Sequence, residues 1–473
     1  MNGTAAKHIY FIGIGGIGMS ALARYFLHER WQVAGYDRTR TPLTQALERE
    51  GISVHYEDSA ELIPDAFKAN AAATLVVYTP AVEDDNRERD FFARCGAQVL
   101  KRSEMLGRVA HGKKLLAVAG THGKTTTSTM LAHLLTQAGG GCSAFLGGIS
   151  KNYGTNLLLA DSELLVAEAD EYDRSFLQLF PDVAVVTSMD ADHLDIYGSH
   201  EALQRAFRSF VAQLKPQGAL VAKKSLVRDG KLPAALPDGR RVYTYAFDEQ
   251  ADFYARNVRP TGGGYFSFDI AAAGQLITGC TVGAPGWVNV ENAVAATAAA
   301  VAAGVDCRGL PQALRSFQGV QRRLDVRLHT PALTYIDDYA HHPEELRAAI
   351  TSIRGMFPSE KITGIFQPHL YSRTRDFAVG FAESLALLDE LLLLDVYPAR
   401  ELPIAGVTSA IIFDRVGISS KALCRKEDVL GLLRGRDLQV LVTLGAGDID
   451  TLVEPIADYL LNEVKQEATC AKR

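Results

Sequence analysis

Short apolar runs alternate with longer stretches of helical periodicity along almost the whole chain. Their continuous apolar character is typical of strands buried on both faces of a parallel sheet. The pattern therefore predicts an α/β protein with mostly parallel sheets. It falls into three blocks, and we expect three domains, at residues 1–107, 108–320 and 321–473.

The apolar runs place the predicted strands within these blocks. The first block contains HIYFIGIG, WQVAGYD and TLVVYTP, and the second contains KKLLAVAG, ELLVAEAD, DVAVVTSMD and GALVAKK. The third contains LTYIDDYAHH, KITGIFQPH, ELLLLDVYP and LQVLVTLGAG. From about Val242 to Thr281 the helical pattern stops, and glycine-rich pieces predict a local antiparallel section. The segment APGWVNVENAVAATAAAVAAG then predicts a turn followed by a helix.

Composition excludes some classes of partner. Of the 473 residues, 47% are hydrophobic and 22% are charged, which is ordinary for a globular protein. The formal net charge of −6 gives no electrostatic reason to expect nucleic acid or an anionic membrane as a partner. Six scattered cysteines suit a reducing compartment, and the first residues lack the basic and apolar regions of a signal peptide. We therefore expect a cytoplasmic protein.

A glycine-rich turn follows the first predicted strand. Gly13, Gly15 and Gly18 form a Gly-x-Gly-x-x-Gly pattern before a predicted helix, and Asp37 ends the next strand about 20 residues on. Glycines let the backbone approach a phosphate, and the helix N-terminus supplies partial positive charge. The loop favours a site for a nucleotide diphosphate without selecting NAD. A tight strand–helix turn without a ligand is the alternative.

A second loop of different design opens the second block, in the run LLAVAGTHGKTTTSTML. It is a compact Gly-x-x-Gly-Lys-Thr, because Val118 stands where the usual P-loop has an earlier glycine. In such loops, backbone N–H groups surround the β-phosphate, here with Lys124 in reach of the β- and γ-oxygens and the Thr125 hydroxyl facing Mg²⁺. We expect ATP to bind here.

Polar residues gather at the ends of the next two predicted strands. Mg²⁺ prefers oxygen ligands, and Glu168 lies where a second metal ligand is expected. For the following Asp170, Glu171 and Asp173, a solvated acidic turn is the competing interpretation. His193 follows the next strand and is either a site residue or a surface histidine.

The third block adds acidic, histidine and arginine residues next to strand ends. The paired histidines of DDYAHH have no third metal ligand at a suitable spacing. Arginines in QRRLD and SRTRD could bind carboxylate or phosphate, although each alone is as well explained by a surface salt bridge. The motifs of covalent serine and cysteine catalysis are missing from the sequence, so ATP chemistry by positioning and charge stabilisation is favoured.

In their order, these motifs resemble those of the Mur ligases. The matching segments are FIGIGGIGMSALA, GTHGKTTTSTM, EADEYDRSFL, DADHLDIYG, NVENAVAA, FQGVQRRLD, DDYAHHPEE, FQPHLYSRTRDF and GAGDID. They are most similar to the branch that adds L-alanine to UDP-N-acetylmuramate. The resemblance implies an N-terminal Rossmann-like domain, a central P-loop ATPase-like domain with a mostly parallel sheet and a C-terminal Rossmann-like domain.

The resemblance also implies that the two loops serve different nucleotides. The N-terminal loop would hold the UDP part of the substrate, the central loop would hold ATP, and the C-terminal domain would close on ATP and bind the amino acid. The muramoyl carboxylate would attack the γ-phosphate of ATP, and the amine of L-alanine would attack the resulting acyl phosphate. ATP and Mg²⁺ are the implied cofactors, and a monomer or homodimer is expected.

Motif by motif, the resemblance assigns residues to these roles. Lys124 would stabilise the moving phosphoryl group, and His342 and Arg373 would lie near the amino acid. The UDP contacts would be Gly13, Gly15, Gly16, Gly18, Asp37 and Thr79. The ATP contacts would be Gly120, Thr121, His122, Gly123, Lys124, Thr125, Thr126, Asn289, Asn292, Arg323 and Asp338. The ligands of Mg²⁺ would be Thr125, Glu168 and His193.

Two departures and three alternatives accompany this interpretation. Many relatives have a histidine at the position of Val288 and a basic residue at that of Leu370, which leaves more weight on Arg373 as the partner of the alanine carboxylate. A tripeptide-recycling ligase of the same family shares the central loop. A nicotinamide-dependent oxidoreductase would explain the first loop but not Lys124. A non-catalytic nucleotide-binding regulator would explain both loops.

Overall fold

The computed structural model describes residues 7–83, 85–399 and 401–470. Its first sheet follows the first block of apolar runs. The strands are β1 (His8–Ile12), β2 (Gln32–Tyr36), β3 (Ser53–His55), β4 (Leu75–Tyr78) and β5 (Gln98–Lys101), and the helices are α1 (Ile17–His28), α2 (Pro42–Arg49), α3 (Asp65–Ala69), α4 (Arg87–Arg94) and α5 (Arg102–Ala110). All pairs are parallel, in the order β3-β2-β1-β4-β5. The strand order reverses beside β1, so the glycine-rich turn lies at a topological switch point, where such sheets bind ligands.

The second sheet has ten strands and a mostly parallel centre. The strands are β6 (Lys114–Ala119), β7 (Ser143–Ser150), β8 (Thr155–Leu158), β9 (Leu164–Glu168), β10 (Val183–Val186), β11 (Ala219–Lys223), β12 (Arg241–Ala246), β13 (Phe253–Gly262), β14 (Tyr265–Ala272) and β15 (Gln275–Thr281). The helices are α6 (Lys124–Ala138), α7 (Leu194–Tyr197), α8 (His200–Ala212), α9 (Lys224–Arg228), α10 (Trp287–Ala302) and α11 (Leu310–Ser316). The order is β15-β14-β13-β12-β11-β10-β6-β9-β7-β8, so β6 with its phosphate loop lies between β9 and β10.

The third sheet has six strands in the order β16-β17-β21-β18-β19-β20, and only its edge pair β16–β17 is antiparallel. The strands are β16 (Asp325–His329), β17 (Thr334–Asp338), β18 (Ile362–Phe366), β19 (Glu390–Leu393), β20 (Lys421–Leu423) and β21 (Val440–Leu444). The helices are α12 (Pro343–Met356), α13 (Tyr371–Asp376), α14 (Ala378–Leu385), α15 (Ala410–Phe413), α16 (Val429–Leu433) and α17 (Val453–Cys470).

Every apolar run that the sequence analysis named contains a strand of these sheets. The predicted antiparallel section, from about Val242 to Thr281, is wrong in its first part, because β12 pairs in parallel with both β11 and β13. Its second part corresponds to β13, β14 and β15, which are neighbours joined by two-residue turns, as in hairpins. The predicted helix after it is α10. The chain divides into two compact units. The first contains residues up to 257, 268–280 and 291–318. The second contains residues 258–267, 281–290 and those from 319 onward. The boundaries near residues 107 and 320 stay predictions.

Buried aliphatic and aromatic side chains fill both faces of each sheet, which explains why the strands read as continuous apolar runs. The central strand β1 is buried at all five positions, and so is β21. Within the described ranges, no helix is both long and apolar enough to cross a membrane.

Candidate active site

The loop after β1 forms one wall of a cavity of about 320 Å³. Gly13 has φ +84, and a Cβ atom there would lie 2.4 Å from Cγ2 of Thr79, so only glycine fits without a rearrangement. The N–H group of Gly13 donates to the carbonyl of Tyr36 at 2.8 Å, which ties the loop to the end of β2. The cavity thus lies where the sequence predicts a sugar-nucleotide site. Its lining includes Gly13, Gly16, Asp37 and Thr79.

The other two predicted glycines of this loop face protein groups. A Cβ atom on Gly15 would lie 2.6 Å from Cγ2 of Thr44, and the Gly15 N–H donates to Oδ2 of Asp37 at 2.8 Å. Oδ1 of Asp37 accepts a second N–H bond, from Thr39, at 2.9 Å. A Cβ atom on Gly18 would lie 2.5 Å from Nη1 of Arg102. Gly15 and Asp37 therefore shape the loop, and Gly18 leaves room for an arginine.

The second loop connects β6 to α6 as predicted, with Gly120 to Gly123 between the two elements and Lys124 to Thr126 in the first turn of the helix. Gly120 and Gly123 both have positive φ, +141 and +79, and a Cβ atom on Gly120 would lie 2.0 Å from Oγ1 of Thr187. That Thr187 hydroxyl donates to the carbonyl of His122 at 2.5 Å. Oγ of Ser188 accepts the N–H of His122 at 2.7 Å. The segment after β10 thus holds the loop in the turn that a phosphate requires.

Lys124 forms an ion pair with Glu171, a residue that the sequence analysis did not assign to the site. Its Nζ lies 2.8 Å from Oε2 of Glu171, which is completely buried. Nε2 of His193 is 3.5 Å from Oε1 of the same carboxylate. Tyr197 donates its hydroxyl to the Glu171 carbonyl at 2.6 Å. The solvated acidic turn is therefore the wrong interpretation for Glu171, because this side chain points inward to the lysine.

The charges around Lys124 keep it protonated. Burial alone would lower the pKa of Lys124, but the carboxylates of Glu171, Asp170 and Glu168 outweigh burial and hold this pKa above its usual value. Burial would likewise lower the pKa of His193, and Glu171 and Asp192 raise it instead. A lysine that stays protonated at the start of α6 can stabilise phosphate oxygens. These oxygens would compete with the Glu171 carboxylate for the lysine.

The three predicted magnesium ligands surround this charge cluster. Thr125 lies in the first turn of α6 and is 5% exposed, and Glu168 ends β9. A Cβ atom on Gly147 would lie 2.1 Å from Oε2 of Glu168, so the carboxylate is seated against the β7 backbone. In the described ranges no three His, Cys, Asp or Glu residues form a cation site by themselves. A hydroxyl and a carboxylate fit a magnesium ion that phosphate and water oxygens complete.

The two predicted adenine contacts have local partners. Oδ1 of Asn292 accepts the Thr127 hydroxyl at 3.2 Å, and a Cβ atom on Gly123 would lie 3.2 Å from the same oxygen. Asn292 therefore braces the phosphate loop. In the other compact unit, the amide of Asn289 donates to the Pro285 carbonyl at 2.6 Å, within the turn before α10. A contact of either residue with adenine stays a prediction.

In the third sheet, Asp338 is buried at the end of β17. Its Oδ2 accepts the N–H of Leu324 at 2.7 Å, and its Oδ1 accepts that of Ala340 at 2.8 Å. Burial raises the pKa of Asp338 to about 6, although Arg323 opposes the shift. Arg323 lies over the ring of Tyr339, 5.0 Å from its centre. These residues form one compact group at the carboxyl end of the sheet.

His342 and Arg373 meet through a shared neighbour. His342 is 4% exposed, and its Nδ1 accepts the N–H of Glu344 at 3.4 Å as the N-cap of α12. The ring of Phe377 packs edge-on against His342 at 4.8 Å, and the N–H of Phe377 donates to the Arg373 carbonyl at 3.0 Å. Leu370, which precedes α13, is buried with φ +70. The predicted amino-acid contacts thus lie in one neighbourhood.

Three family models match successive parts of the chain. Residues 8–114 match the model described as "Mur ligase family, catalytic domain", and residues 118–300 match "Mur ligase middle domain". Residues 322–440 match "Mur ligase, glutamate ligase domain". Together the matches extend over all three sheets.

Individual relatives match over nearly their whole length. A UDP-N-acetylmuramate–L-alanine ligase from Phocaeicola vulgatus is 51% identical over 97% of this chain and 99% of its own. Another, from Parabacteroides distasonis, is 50% identical over 97% of this chain and 98% of its own. The crystal structure of UDP-N-acetylmuramate–alanine ligase from Thermotoga maritima superposes with a TM-score of 0.79 at 27% identity, over 96% of this chain and 99% of its own. The three-domain α/β fold is thereby confirmed.

Proposed function

Because this chain belongs to the Mur ligase family, we propose that it joins L-alanine to the carboxylate of UDP-N-acetylmuramate, with hydrolysis of ATP to ADP and phosphate, in the synthesis of peptidoglycan precursors. One observation carries the proposal. The same compact unit holds a cavity at Gly13 and a phosphate-loop lysine whose side chain is 14% exposed and paired with a buried carboxylate. A substrate handle and a reacting triphosphate need this pair of sites.

The chemistry needs the muramoyl carboxylate in line with the γ-phosphate and its ADP leaving group, and the alanine amine within reach of the carboxyl carbon. The muramoyl carboxylate attacks the γ-phosphate, and ADP leaves. The alanine amine then attacks the acyl phosphate, and inorganic phosphate leaves. Lys124 stabilises the charge on the moving phosphoryl group, and the buried Glu171 supports the lysine until the phosphate replaces it. Donors of this kind are typically worth a hundredfold or more in rate, about 3 kcal/mol.

The UDP group serves as a handle that does not react. Its phosphates approach the loop at Gly13 and Gly16, where the backbone is bare and α1 begins. Thr79 and Asp37 face the same cavity. Binding energy from this remote group positions the carboxylate at the γ-phosphate, which is worth several kcal/mol in reactions of this type.

Magnesium is proposed to bind at Thr125, Glu168 and His193. A bound magnesium ion would neutralise charge on the β- and γ-phosphates. The chain's own part is to place one hydroxyl and one carboxylate at the start of α6 and the end of β9. Nε2 of His193, whose φ is +51, lies 3.5 Å from Glu171 and 3.6 Å from Asp192, and His193 would ligate the ion only in its neutral form, after losing the proton that these carboxylates favour.

Release of ADP with a panel of acceptors tests the proposal. We expect the protein with ATP, Mg²⁺ and UDP-N-acetylmuramate to release ADP when L-alanine is added. The recycled tripeptide should not replace L-alanine. Release with the tripeptide alone would instead identify the tripeptide ligase, and ATP binding without release under any acceptor would identify a regulator.

A further inference from the structure

Arg102, the first residue of α5, contacts both nucleotide-binding regions of its compact unit. Its Nη2 donates to Oδ2 of Asp170 at 2.9 Å, in the acidic loop after β9. Its Nη1 lies 2.5 Å from the position that a Cβ atom on Gly18 would take, in the first turn of α1. One side chain therefore bridges the glycine-rich loop and the acidic loop beside Lys124.

The contact explains why the third glycine of the fingerprint is a glycine. Gly18 is not among the residues that line the nucleotide cavity, and its φ is not positive. The nearest atoms to a side chain at this position belong to Arg102, at 2.5, 3.2 and 3.5 Å. The missing side chain makes room for the guanidinium.

Asp170 lies between two cations from different parts of the fold. Its carboxylate pairs with Arg102 of α5 at 2.9 Å and is also attracted to Lys124 at the start of α6. The next residue, Glu171, forms the ion pair with Lys124. A displacement of Asp170 would thus be passed to the carboxylate that holds the catalytic lysine.

We propose that Arg102 is a positioning residue, which fixes the acidic loop, and through it Lys124, relative to the glycine-rich loop that holds the UDP handle. The inference rests on the proposed function, because only a reaction between the two bound nucleotides needs this alignment. Misplacement of reacting groups by about 1 Å can cost a hundredfold in rate. The expected signature is a loss in kcat without a loss of nucleotide affinity.

The neighbouring ion pair supplies a matched control. Lys101 pairs with Asp173 at 2.8 Å, between the same two segments as Arg102 and Asp170. The atoms nearest to a Cβ atom on Gly18 belong to Arg102 and not to Lys101, and the carboxylates with the largest effect on the pKa of Lys124 are Glu171, Asp170 and Glu168. Lys101→Ala removes one ion pair between the segments and leaves the bridge intact.

The first test compares Arg102→Ala, Arg102→Lys and Lys101→Ala. We expect Arg102→Ala to lower kcat by about tenfold to a hundredfold. The dissociation constants of UDP-N-acetylmuramate and ADP, measured by calorimetry, should change less than about threefold. Arg102→Lys should recover part of the rate, because lysine keeps the positive charge but lacks the parallel N–H donors of the guanidinium group. Lys101→Ala should stay within about twofold of the wild-type kcat.

The second test uses Gly18. In the wild-type background Gly18→Ala pushes the guanidinium away from Asp170, so we expect it to lower kcat about as much as Arg102→Ala does. In the Arg102→Ala background the same substitution should have little further effect. Equal losses in both backgrounds, or an Arg102→Ala variant that matches Lys101→Ala, would overturn the inference alone. A wild-type protein without any alanine ligase activity would overturn the proposed function and this inference with it.

Discussion

At the scale of single residues, the pairing of Lys124 with Glu171 explains how a lysine can be buried and still charged. The Lys124 side chain is only 14% exposed, and a carboxylate 2.8 Å from its Nζ compensates the loss of water. ATP offers phosphate oxygens in place of this carboxylate, so the lysine needs no large change of environment when the substrate enters. A preorganised cation of this kind contributes more in a buried site than in water.

The magnesium ligands give a prediction at this scale. We expect Glu168→Gln and His193→Ala to raise the Mg²⁺ concentration for half-maximal rate, because each removes a proposed ligand. His200→Ala is a suitable control, since His200 lies on the adjoining helix and bonds to the Met189 carbonyl at 2.7 Å. Measuring the rate as a function of Mg²⁺ concentration checks this prediction for each variant. A curve that matches wild type would remove the substituted residue from the metal site.

Arg373 gives a second residue-scale prediction. Leu370 is buried and its apolar side chain cannot form an ion pair with a carboxylate, so we predict that Arg373 is the forked partner of the alanine carboxylate. Arg373→Ala should raise the KM for L-alanine by an amount equivalent to roughly 2–3 kcal/mol, with much smaller changes for ATP and UDP-N-acetylmuramate. Arg373→Lys should recover only part of the loss.

The same helix provides the control for Arg373. Arg375 is exposed and paired with Asp376 at 2.7 Å, and Arg375→Ala should leave the KM for L-alanine unchanged. A normal KM for L-alanine together with a raised KM for ATP in Arg373→Ala would show instead that Arg373 serves the phosphates.

At the scale of elements, Asp338 joins β17 to the segments on either side of it. A raised pKa of about 6 means that its protonated form is favoured in the folded state. The resulting stability is fully present below the unfolded value near 4 and is lost as the pH rises through 6. A difference of about two pH units corresponds to roughly 3 kcal/mol.

This pH dependence can be measured with one substitution. Asp338→Asn keeps the shape and removes the titration, so we expect the Tm difference between wild type and variant to move in favour of the variant from pH 4 to pH 7. Thermal unfolding at several pH values gives this difference. A constant offset over the whole range would show that Asp338 titrates normally.

The elements also show what sequence reasoning can and cannot find. The central strands were predicted because burial on both faces leaves an unbroken apolar run. The runs named from the sequence did not include β3 and β20, which have three residues each, or β7, whose run SAFLGGIS is interrupted by two glycines. They also did not include β5, β8 and β16. Short or interrupted strands lack the unbroken apolar run that marks a strand buried on both faces.

The candidate site divides in the same way. The two phosphate loops were predicted because glycine spacing and Lys124 are local signals. The inward direction of the Glu171 side chain was not predicted, because the acidic residues of EADEYD would follow the same pattern in a solvated turn. The proximity of Arg102 to Gly18 joins residues far apart in sequence. Its only sequence signal is Gly18 itself, which the Gly-x-Gly-x-x-Gly pattern already accounts for.

At the scale of the whole molecule, the proposed function assigns the substrate handle to the first loop and the reaction centre to the second. We expect Lys124→Ala to abolish ligation and leave the affinity for UDP-N-acetylmuramate largely intact, because the cavity at Gly13 does not include the lysine. Calorimetry with the sugar nucleotide checks this division. A folded variant that no longer binds it would refute separate roles for the loops.

The fate of the carboxylate oxygen tests the central claim most directly. UDP-N-acetylmuramate labelled with ¹⁸O in its muramoyl carboxylate is incubated with the protein, ATP, Mg²⁺ and L-alanine, and the phosphate and the sugar nucleotide are analysed by mass spectrometry. The account predicts one ¹⁸O atom in each phosphate released, together with an alanylated sugar nucleotide that keeps the other ¹⁸O atom in its new amide carbonyl. Phosphate without ¹⁸O, or a sugar nucleotide of unchanged mass, would contradict it.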